Sequence, residues 1–340
     1  MVKILRGPRW SARAEPVLPD SGVTDHGDKQ LVRFLVFGDS GTGGVDQHRV
    51  AGHMAQECGT RGGCDFALVL GDNVYPVGVR KPRPDESLSD TMLRDRFELP
   101  YAELRSMEFW LVPGNHDWYT HGSVERQVRY TTISERWRMP SHDYAIPRLP
   151  DWIHIYGLDT VSVKHGRLTG QVERAAEALC EQPGWRLLYG HNPIYSSGPH
   201  TDRHGEDLKI KQRLLEPLIA RCDVNVYFAG HDHHQEHISA PDFEQVVQGA
   251  AAKLRRVRPG VLRDPEVNQL AAASRLGFGL VEATPEWLEL RFFGYGESVP
   301  YGEFHCRRIH LEGFSDPNSR STPCDPGEKG DRPLLSYRGE

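Results

Sequence analysis

The chain has 340 residues, of which 38% are hydrophobic and 26% charged, a composition typical of a globular protein with a sizeable core. Its 41 basic and 47 acidic residues give a formal net charge of -6, too small a bias to indicate a nucleic-acid or membrane partner. No apolar run reaches membrane-spanning length, which argues against a transmembrane protein.

The N-terminal stretch, residues 1–28, is predicted to be an extension that precedes the folded domain. It begins MVKILRGPRWSARAEPVLPD and lacks the continuous apolar centre of a signal peptide. This favours a cytoplasmic protein; a secreted protein remains the alternative if the numbered chain is already processed.

Five strand-like apolar segments follow, and each ends in a glycine next to Asp, Asn or His. They cover residues 31–37, 65–70, 108–113, 184–189 and 224–229, and lead into GDSGTGG, GDNVY, GNHDWY, GHNP and GHDHH. Helical periodicity lies between them, at Val45 to Cys58, Leu88 to Arg105, Val124 to Trp137, Thr169 to Glu181 and Leu208 to Arg221. Alternating strands and helices predict an α/β fold with largely parallel strands and a site beyond their carboxyl ends.

The later chain has a different pattern. From Gln245 onward, QVVQG, GFGLVEAT and EWLELRFFG predict short strands that add to the same core, within a domain of residues 29–311. A basic stretch, residues 253–275, is interpreted as a long mobile connection. Residues 312–340 are rich in Pro, Gly, Ser and charge, and are predicted to be a polar tail.

The chain contains six cysteines. Cys58 could pair with Cys64, and Cys306 with Cys324, in an oxidising compartment. For a chain of this length without a signal peptide, free buried thiols are the preferred interpretation. The cysteine spacings match neither a zinc ribbon nor a CxxC redox site.

The polar residues at the strand ends provide more oxygen and nitrogen ligands than one tetrahedral zinc ion needs. They fit two adjacent metals that share a carboxylate. With no cysteine among them, iron, manganese or zinc suits the set better than a thiolate centre. The candidate ligands are Asp39, Asp72, Tyr75, Asn115, His191, His231 and His233.

Each motif alone has a simpler explanation. A Gly-Asp pair after a strand is usually a turn, and a single loop histidine is usually just a polar residue. GHDHH is the strongest single motif, because alternate histidines on an extended segment point the same way. Five such motifs in a row, each at the end of an apolar strand, favour a metal site.

The chain resembles the calcineurin-like metallophosphoesterase superfamily and, within it, the purple acid phosphatases. The resemblance is carried by five motifs, which occur in the order FGDSG, GDNVY, GNHD, YGHNP and GHDHH. The superfamily usually has a histidine two residues after the first aspartate, where this chain has Gly41. Purple acid phosphatases similarly lack that histidine and use a tyrosine three residues after the bridging aspartate, as Tyr75 follows Asp72. The similarity covers about residues 31–250 and is closest to the small, single-domain tartrate-resistant type.

The resemblance implies a four-layer α/β/β/α sandwich with a dinuclear metal site at the carboxyl ends of the strands. It assigns Fe(III) to Asp39, Tyr75 and His233, and a second divalent metal (Fe, Zn or Mn) to Asn115, His191 and His231, with Asp72 bridging. It implies an acid phosphatase that hydrolyses small phosphate monoesters by a metal-activated hydroxide. A phosphodiesterase or nucleotide pyrophosphatase with the same core is the alternative, and a non-catalytic scaffold is a third hypothesis.

Two further histidines are candidates for catalysis. His116 follows the ligand Asn115 and could protonate the leaving group, since histidine can carry a proton at mildly acidic pH. His200 stands nine residues after His191, where the tartrate-resistant type places a substrate-contacting histidine; a solvated loop histidine is the alternative. Asp117 is expected to orient His116 or another ligand.

Overall fold

The computed structural model describes residues 23–88, 92–311 and 320–324. The strands are, in chain order, β1 (Val32–Phe37), β2 (Phe66–Val69), β3 (Glu108–Leu111), β4 (Trp137–Arg138), β5 (Tyr144–Ala145), β6 (Ile153–Gly157), β7 (Trp185–Tyr189), β8 (Val226–Ala229), β9 (Gln235–Ser239), β10 (Glu244–Gln248), β11 (Asn268–Ala273), β12 (Leu276–Ala283), β13 (Trp287–Gly296), β14 (Val299–His310) and β15 (Ser321–Pro323). The α-helices are α1 (Val45–Thr60), α2 (Ser123–Tyr130), α3 (Thr160–Lys164), α4 (Gln171–Leu179) and α5 (Leu208–Ile210). Arg94–Glu98 and Lys211–Ala220 are π-helical, and His116–Trp118 is a 3₁₀ turn.

The strands form two mixed sheets. The first has the order β15-β14-β13-β12-β1-β2-β3-β4, and the second β11-β9-β10-β8-β7-β6-β5. Strands β1 to β4 are parallel to one another, as are β6, β7, β8 and β10. The five strands expected from the sequence (β1, β2, β3, β7 and β8) thus lie in the parallel parts of the two sheets, as predicted. In the rest of the sheets, β5, β9 and β11 to β15 pair in antiparallel fashion.

The two sheets pack face to face around aromatic side chains. Phe34 of β1 stacks on Phe66 at 5.0 Å between ring centroids and meets Phe228 of the opposite sheet edge-on at 6.2 Å. Val50 and Met54 of α1 are buried in the same core, while α4 and the π-helix Lys211–Ala220 cover the second sheet through residues such as Leu179 and Leu218. This arrangement confirms the α/β sandwich.

Two predicted helices are shorter in the structure. The helix expected over Val124 to Trp137 ends at Tyr130, because Trp137 instead pairs with Phe109 of β3 and buries its indole, which donates to Gln127 O at 3.0 Å. The helix expected over Leu88 to Arg105 stays helical only from Met92 to Glu98 among the described residues. Pro100, which has no N–H to donate, follows after Leu99.

Segments expected to lie outside the sheets are partly built into them. The basic stretch 253–275 contains β11, which pairs with β9, so it is not simply a mobile connection. Within the predicted tail, β15 pairs with β14, and Arg320 is buried and donates to Ala240 O at 2.7 Å. Within the predicted extension, His26 N donates to Arg148 O at 2.9 Å. Residues 1–22, 312–319 and 325–340 lie outside the described part of the chain.

All six cysteines are paired, so the interpretation as free thiols is wrong. The pairs are Cys58–Cys64, Cys180–Cys222 and Cys306–Cys324. Cys180 follows α4 and Cys222 follows the adjacent π-helix, so their proximity depends on how the two helices pack. Their 42-residue separation gave no local signal of that packing.

None of the helices in residues 23–88, 92–311 and 320–324 is both long and apolar enough to cross a lipid bilayer.

Candidate metal centre

The seven candidate ligands meet where the carboxyl ends of both parallel sets of strands converge. Asp39, Asp72 with Tyr75, and Asn115 follow β1, β2 and β3 of the first sheet. His191 follows β7, and His231 and His233 follow β8 of the second sheet. The site therefore lies at one end of the sandwich and draws ligands from both sheets.

Three of the candidate ligands lie on sharp turns that follow their strands. Asp39, Asp72 and His231 have φ values of 57°, 53° and 69°, in the left-handed region that side-chain-bearing residues adopt at a cost of about 1–3 kcal/mol. Such strain persists only where the surroundings enforce it and clusters at functional sites. These turns bring backbone groups to the ligands as well: His231 N donates to Asp39 Oδ2 at 2.8 Å.

Gly114 allows the loop after β3 to lie against the loop after β2. A Cβ on Gly114 would lie 2.2 Å from Asp72 N and 2.3 Å from Asp72 Oδ1. Because backbone atoms cannot yield as the end of a flexible side chain can, any larger residue would separate Asp72 from Asn115.

We expect Gly114→Ala to reduce the free energy of unfolding by about 1–3 kcal/mol, the usual cost of overpacking, and to weaken metal binding. Gly52→Ala is the matched control, because Gly52 lies in α1 and a Cβ there meets nothing within 4 Å. It should raise the unfolding free energy by about 0.5–1 kcal/mol. Denaturant unfolding and metal analysis of both variants check this, and equal metal content in the two would contradict the expected role of Gly114.

One half of the site is formed around Tyr75. Its hydroxyl lies 2.9 Å from Asp39 Oδ1, 2.8 Å from Asp72 Oδ2 and 3.3 Å from His233 Nε2. Ligand atoms of Asp39, Asp72 and His233 all lie within 4.8 Å of one another. All four side chains are buried, so the cluster of two carboxylates, a phenol and an imidazole is shielded from water.

The other half is formed around His191. Its Nε2 lies 3.0 Å from Asn115 Oδ1, 3.1 Å from His231 Nδ1 and 3.5 Å from Asp72 Oδ1. Asp72 therefore contacts both halves, with one carboxylate oxygen toward each. His191 is buried, whereas Asn115 and His231 are partly exposed, so this half opens toward solvent.

The hydrogen bonds around His191 show that a cation fits here. Its Nδ1 lies 2.8 Å from Leu70 O, which can only accept, so Nδ1 carries a proton, and a ring that holds no second proton presents a lone pair at Nε2. Asn115 donates through Nδ2 to the Tyr119 hydroxyl at 2.9 Å and so turns its oxygen toward His191. Acceptor atoms that face one another in this way repel unless a proton or a metal ion lies between them.

Burial and the carboxylates of Asp39 and Asp72 shift the pKa values of His191 and Tyr75. Burial lowers the pKa of His191, but the Asp72 and Asp39 carboxylates outweigh burial and raise it. Burial, reinforced by Asp39 and Asp72, raises the pKa of Tyr75 well above its ordinary value. The carboxylates thus attract positive charge, and a cation at this site would favour the ionised form of Tyr75.

Asp117 connects the two ligand loops. Its carboxylate accepts hydrogen bonds from the backbone N–H groups of Asn73 and Gly114 at 3.0 and 2.8 Å, and from Gln127 Nε2 at 2.9 Å. Asn73 follows Asp72, and Gly114 precedes Asn115. Burial, with the nearby Asp72 charge, raises the pKa of Asp117 to about 7. Asp117 therefore positions the backbones on either side of the site and does not contact the His116 ring directly.

Both predicted catalytic histidines lie at the exposed edge of the site. His116 N donates to Asp72 Oδ1 at 2.8 Å, and its ring lies 4.5 Å from the Tyr75 ring. His200 stacks on His231 with ring centroids 4.3 Å apart, and its Nδ1 lies 2.9 Å from the buried Asp232. His200 is therefore held beside the site by Asp232 and is not a freely solvated loop residue.

The sequence-based reasoning missed the basic residues that border this edge. Lys253 Nζ lies 3.8 Å from the centre of the Tyr75 ring, and Arg255 Nη1 lies 3.2 Å from His200 Nε2. The run KLRRVR was visible in the sequence, but no local pattern connected it with the strand ends.

Comparison with known proteins agrees with this geometry. The family model described as Calcineurin-like phosphoesterase matches residues 32–235. The chain is 29% identical over 261 residues to tartrate-resistant acid phosphatase type 5 of Oryctolagus cuniculus, covering 68% of this chain and 75% of the relative. It is 29% identical over 302 residues to the Sus scrofa protein of the same name, covering 77% and 83%.

Solved structures share the fold. GAP50, described as the anchor in the inner membrane complex of Plasmodium, aligns with a TM-score of 0.64 at 20% identity, covering 81% of this chain and 89% of GAP50. Purple acid phosphatase PPD1 from yellow lupin, Lupinus luteus, aligns with a TM-score of 0.61 at 15% identity, covering 82% of this chain and 54% of PPD1. At these identities the two structures support the fold alone.

The family match spans more than half of the chain and includes all seven candidate ligands. The purple acid phosphatase resemblance is thereby confirmed, and the chain belongs to the calcineurin-like phosphoesterase family, as a metal-dependent hydrolase of the purple acid phosphatase type.

Proposed function

We propose that this hydrolase cleaves small phosphate monoesters at a mixed-metal centre. Fe(III) would be held by Asp39, Tyr75 and His233, and a divalent iron, zinc or manganese ion by Asn115, His191 and His231. Asp72 would bridge the two. Hydrolysis of monoesters is also the activity that the names of its relatives, the acid phosphatases, imply.

The observation that carries the proposal is the position of the Tyr75 hydroxyl. It lies among two carboxylates and an imidazole, 2.8 to 3.3 Å from each. Oxygen-rich ligand sets with an ionisable phenol suit a trivalent iron, whose charge compensates several anionic ligands. A phenolate bound to ferric iron absorbs visible light, which makes the metal assignment testable by spectroscopy.

A bound metal pair supplies the positive charge that activates water and neutralises the phosphate oxygens. The residues of the chain provide the remaining functions. The buried Asp39, Tyr75 and His233 form the floor, so the ester oxygen of a bound phosphate must point toward the exposed edge. His116 lies at that edge, where it can donate a proton to the departing alkoxide. His200 lies there too, but its Nε2 accepts from Arg255 Nη1, and this contact must break before His200 can donate. Asp232 keeps the His200 ring in place through its 2.9 Å contact.

We expect a clear preference for monoesters in a direct comparison. An aryl phosphate should be hydrolysed faster than its bis-aryl diester both at about pH 5 and at about pH 7.5. The metal-loaded protein should be coloured and contain two metal ions per chain. A preference for the diester at both pH values would favour the alternative, a phosphodiesterase or nucleotide pyrophosphatase.

A non-catalytic scaffold on the same fold is the competing hypothesis from another class. The complete ligand set argues against it, because a scaffold has no need for seven converging ligands and two histidines at the open edge. A protein that binds no metal and hydrolyses neither ester would favour the scaffold.

The three disulfides bear on the compartment in which the protein works. Three disulfides are typical of proteins that work in an oxidising environment. We propose such a compartment in place of the cytoplasm that the N-terminal composition favoured.

A further inference from the structure

A basic segment borders the open side of the metal centre. Residues 253–258 read KLRRVR and follow β10 after a short turn. Their backbone is bound to the loops that carry the site: Arg255 N donates to His233 O at 2.7 Å, and Arg258 N donates to Ser197 O at 2.6 Å. The segment therefore holds its side chains in defined positions beside the ligands.

Two of its charges lie over opposite halves of the site. Lys253 is half-buried and places Nζ 3.8 Å from the centre of the Tyr75 ring. Arg255 is exposed and contacts Nε2 of His200, which itself stacks on His231. One cation thus borders the half with Tyr75, and the other borders the half with His231.

Neither charge is balanced by an acidic partner. In residues 23–88, 92–311 and 320–324, neither Lys253 nor Arg255 forms an ion pair with a carboxylate, whereas nearby Lys164 is paired with Asp207. Arg258 differs from both, because its guanidinium binds Gly198 O and the Thr201 hydroxyl and so anchors the segment. Lys253 and Arg255 are therefore available to an anion that approaches the open edge.

We infer that Lys253 and Arg255 form a second anion subsite next to the metal centre. The preferred substrates are then phosphate monoesters whose leaving group carries another anionic group, such as a carboxylate, close to the ester oxygen. The inference rests on the proposed function, since it assumes that the phosphate occupies the metals and the leaving group faces the open edge. A charge-assisted hydrogen bond from Lys253 or Arg255 would then hold the second anion.

Binding of two matched phosphonates tests the subsite without turnover. Propylphosphonate and 3-phosphonopropionate differ in that a carboxylate replaces the terminal methyl group. Calorimetry on the metal-loaded protein should give roughly tenfold tighter binding of 3-phosphonopropionate, as expected for one charge-assisted contact. In the double variant Lys253→Met, Arg255→Gln this preference should disappear.

Two control variants distinguish a specific subsite from a general effect of positive charge on anion binding. Arg256→Gln removes a neighbouring exposed charge and should keep the preference. Lys253→Arg retains the charge and should keep most of it. Equal metal content and equal visible absorption in all variants show that the metal centre is intact.

Two results would overturn the inference: equal affinity of the wild-type protein for both phosphonates, or equal weakening of both in the double variant. The second would mean that the cations serve the scissile phosphate itself. The proposed function is tested separately by turnover of glycerol 1-phosphate and 3-phosphoglycerate, which share a carbon skeleton. A protein that hydrolyses neither yet keeps its phosphonate preference would refute the proposed function and leave the subsite standing.

Discussion

Asp72→Ala should abolish hydrolysis of phosphate monoesters and remove at least one metal ion per chain. Asp72 is buried, and its two oxygens face different halves of the site: Oδ2 accepts from the Tyr75 hydroxyl at 2.8 Å, and Oδ1 lies 3.5 Å from His191 Nε2. Without it, both metals would lose a ligand and their charges would face each other with no anion between them. Loss of a residue that merely supports a metal ligand typically costs about 10–100-fold, so we expect a loss of more than about a hundredfold in kcat/KM.

Metal analysis, unfolding and kinetics on one preparation measure this effect. Asp72→Asn keeps the shape of the side chain and the hydrogen bond from His116 N, and separates loss of charge from loss of packing. Asp95→Ala is the control for removing a carboxylate, because Asp95 is 65% exposed on its side chain and lies on the π-helical turn. Two bound metals and full activity in Asp72→Ala would overturn the dinuclear assignment.

Tyr75→Phe should remove the visible colour of the iron-loaded protein while leaving the fold in place. The ring is 4% exposed and packs against His116, and both properties survive the substitution. Only the hydroxyl is lost, and with it the phenolate that would give the charge-transfer absorption. We expect an unfolding free energy lower by about 1–3 kcal/mol, because the hydroxyl is hydrogen-bonded to charged groups.

Tyr130→Phe is the matched control for this change. Tyr130 is also buried, and its hydroxyl donates to Glu98 Oε1 at 3.0 Å; Glu98 is not one of the candidate ligands. It should show a comparable loss of stability with unchanged colour. Absorption spectra and denaturant unfolding of both variants provide the comparison, and colour that persists in Tyr75→Phe would remove Tyr75 from the ligand set.

The candidate ligands could be proposed from the sequence because each lies in a loop that follows a buried strand. An apolar run that stops at glycine and a polar residue marks the carboxyl end of a parallel strand, and such ends share one edge of a sheet. This rule alone was enough to propose Asp39, Asp72 and Asn115 as candidate ligands. The proposal that Tyr75 is a ligand needed the family resemblance, since periodicity cannot separate a ligand phenol from a core tyrosine.

Features that depend on contacts between distant segments could not be predicted in this way. Lys253 and Arg255 reach the site only because backbone hydrogen bonds tie their segment to His233 and Ser197. The Cys180–Cys222 pair depends on two helices packing side by side. Trp137 looked helical from its spacing but is more stable as part of a parallel strand beside Phe109. In each case tertiary packing outweighed the local pattern.

The division of the ligands between the two sheets has a mechanical consequence. Each proposed metal takes ligands from both layers, as Asp39 and His233 illustrate for one and Asn115 and His191 for the other. A metal ion bound there would link the two sheets at one end of the sandwich. The sheets could then not separate at that end without releasing the metal. Because binding to the folded state alone adds to its stability, loading the site should couple the two layers into one unfolding unit.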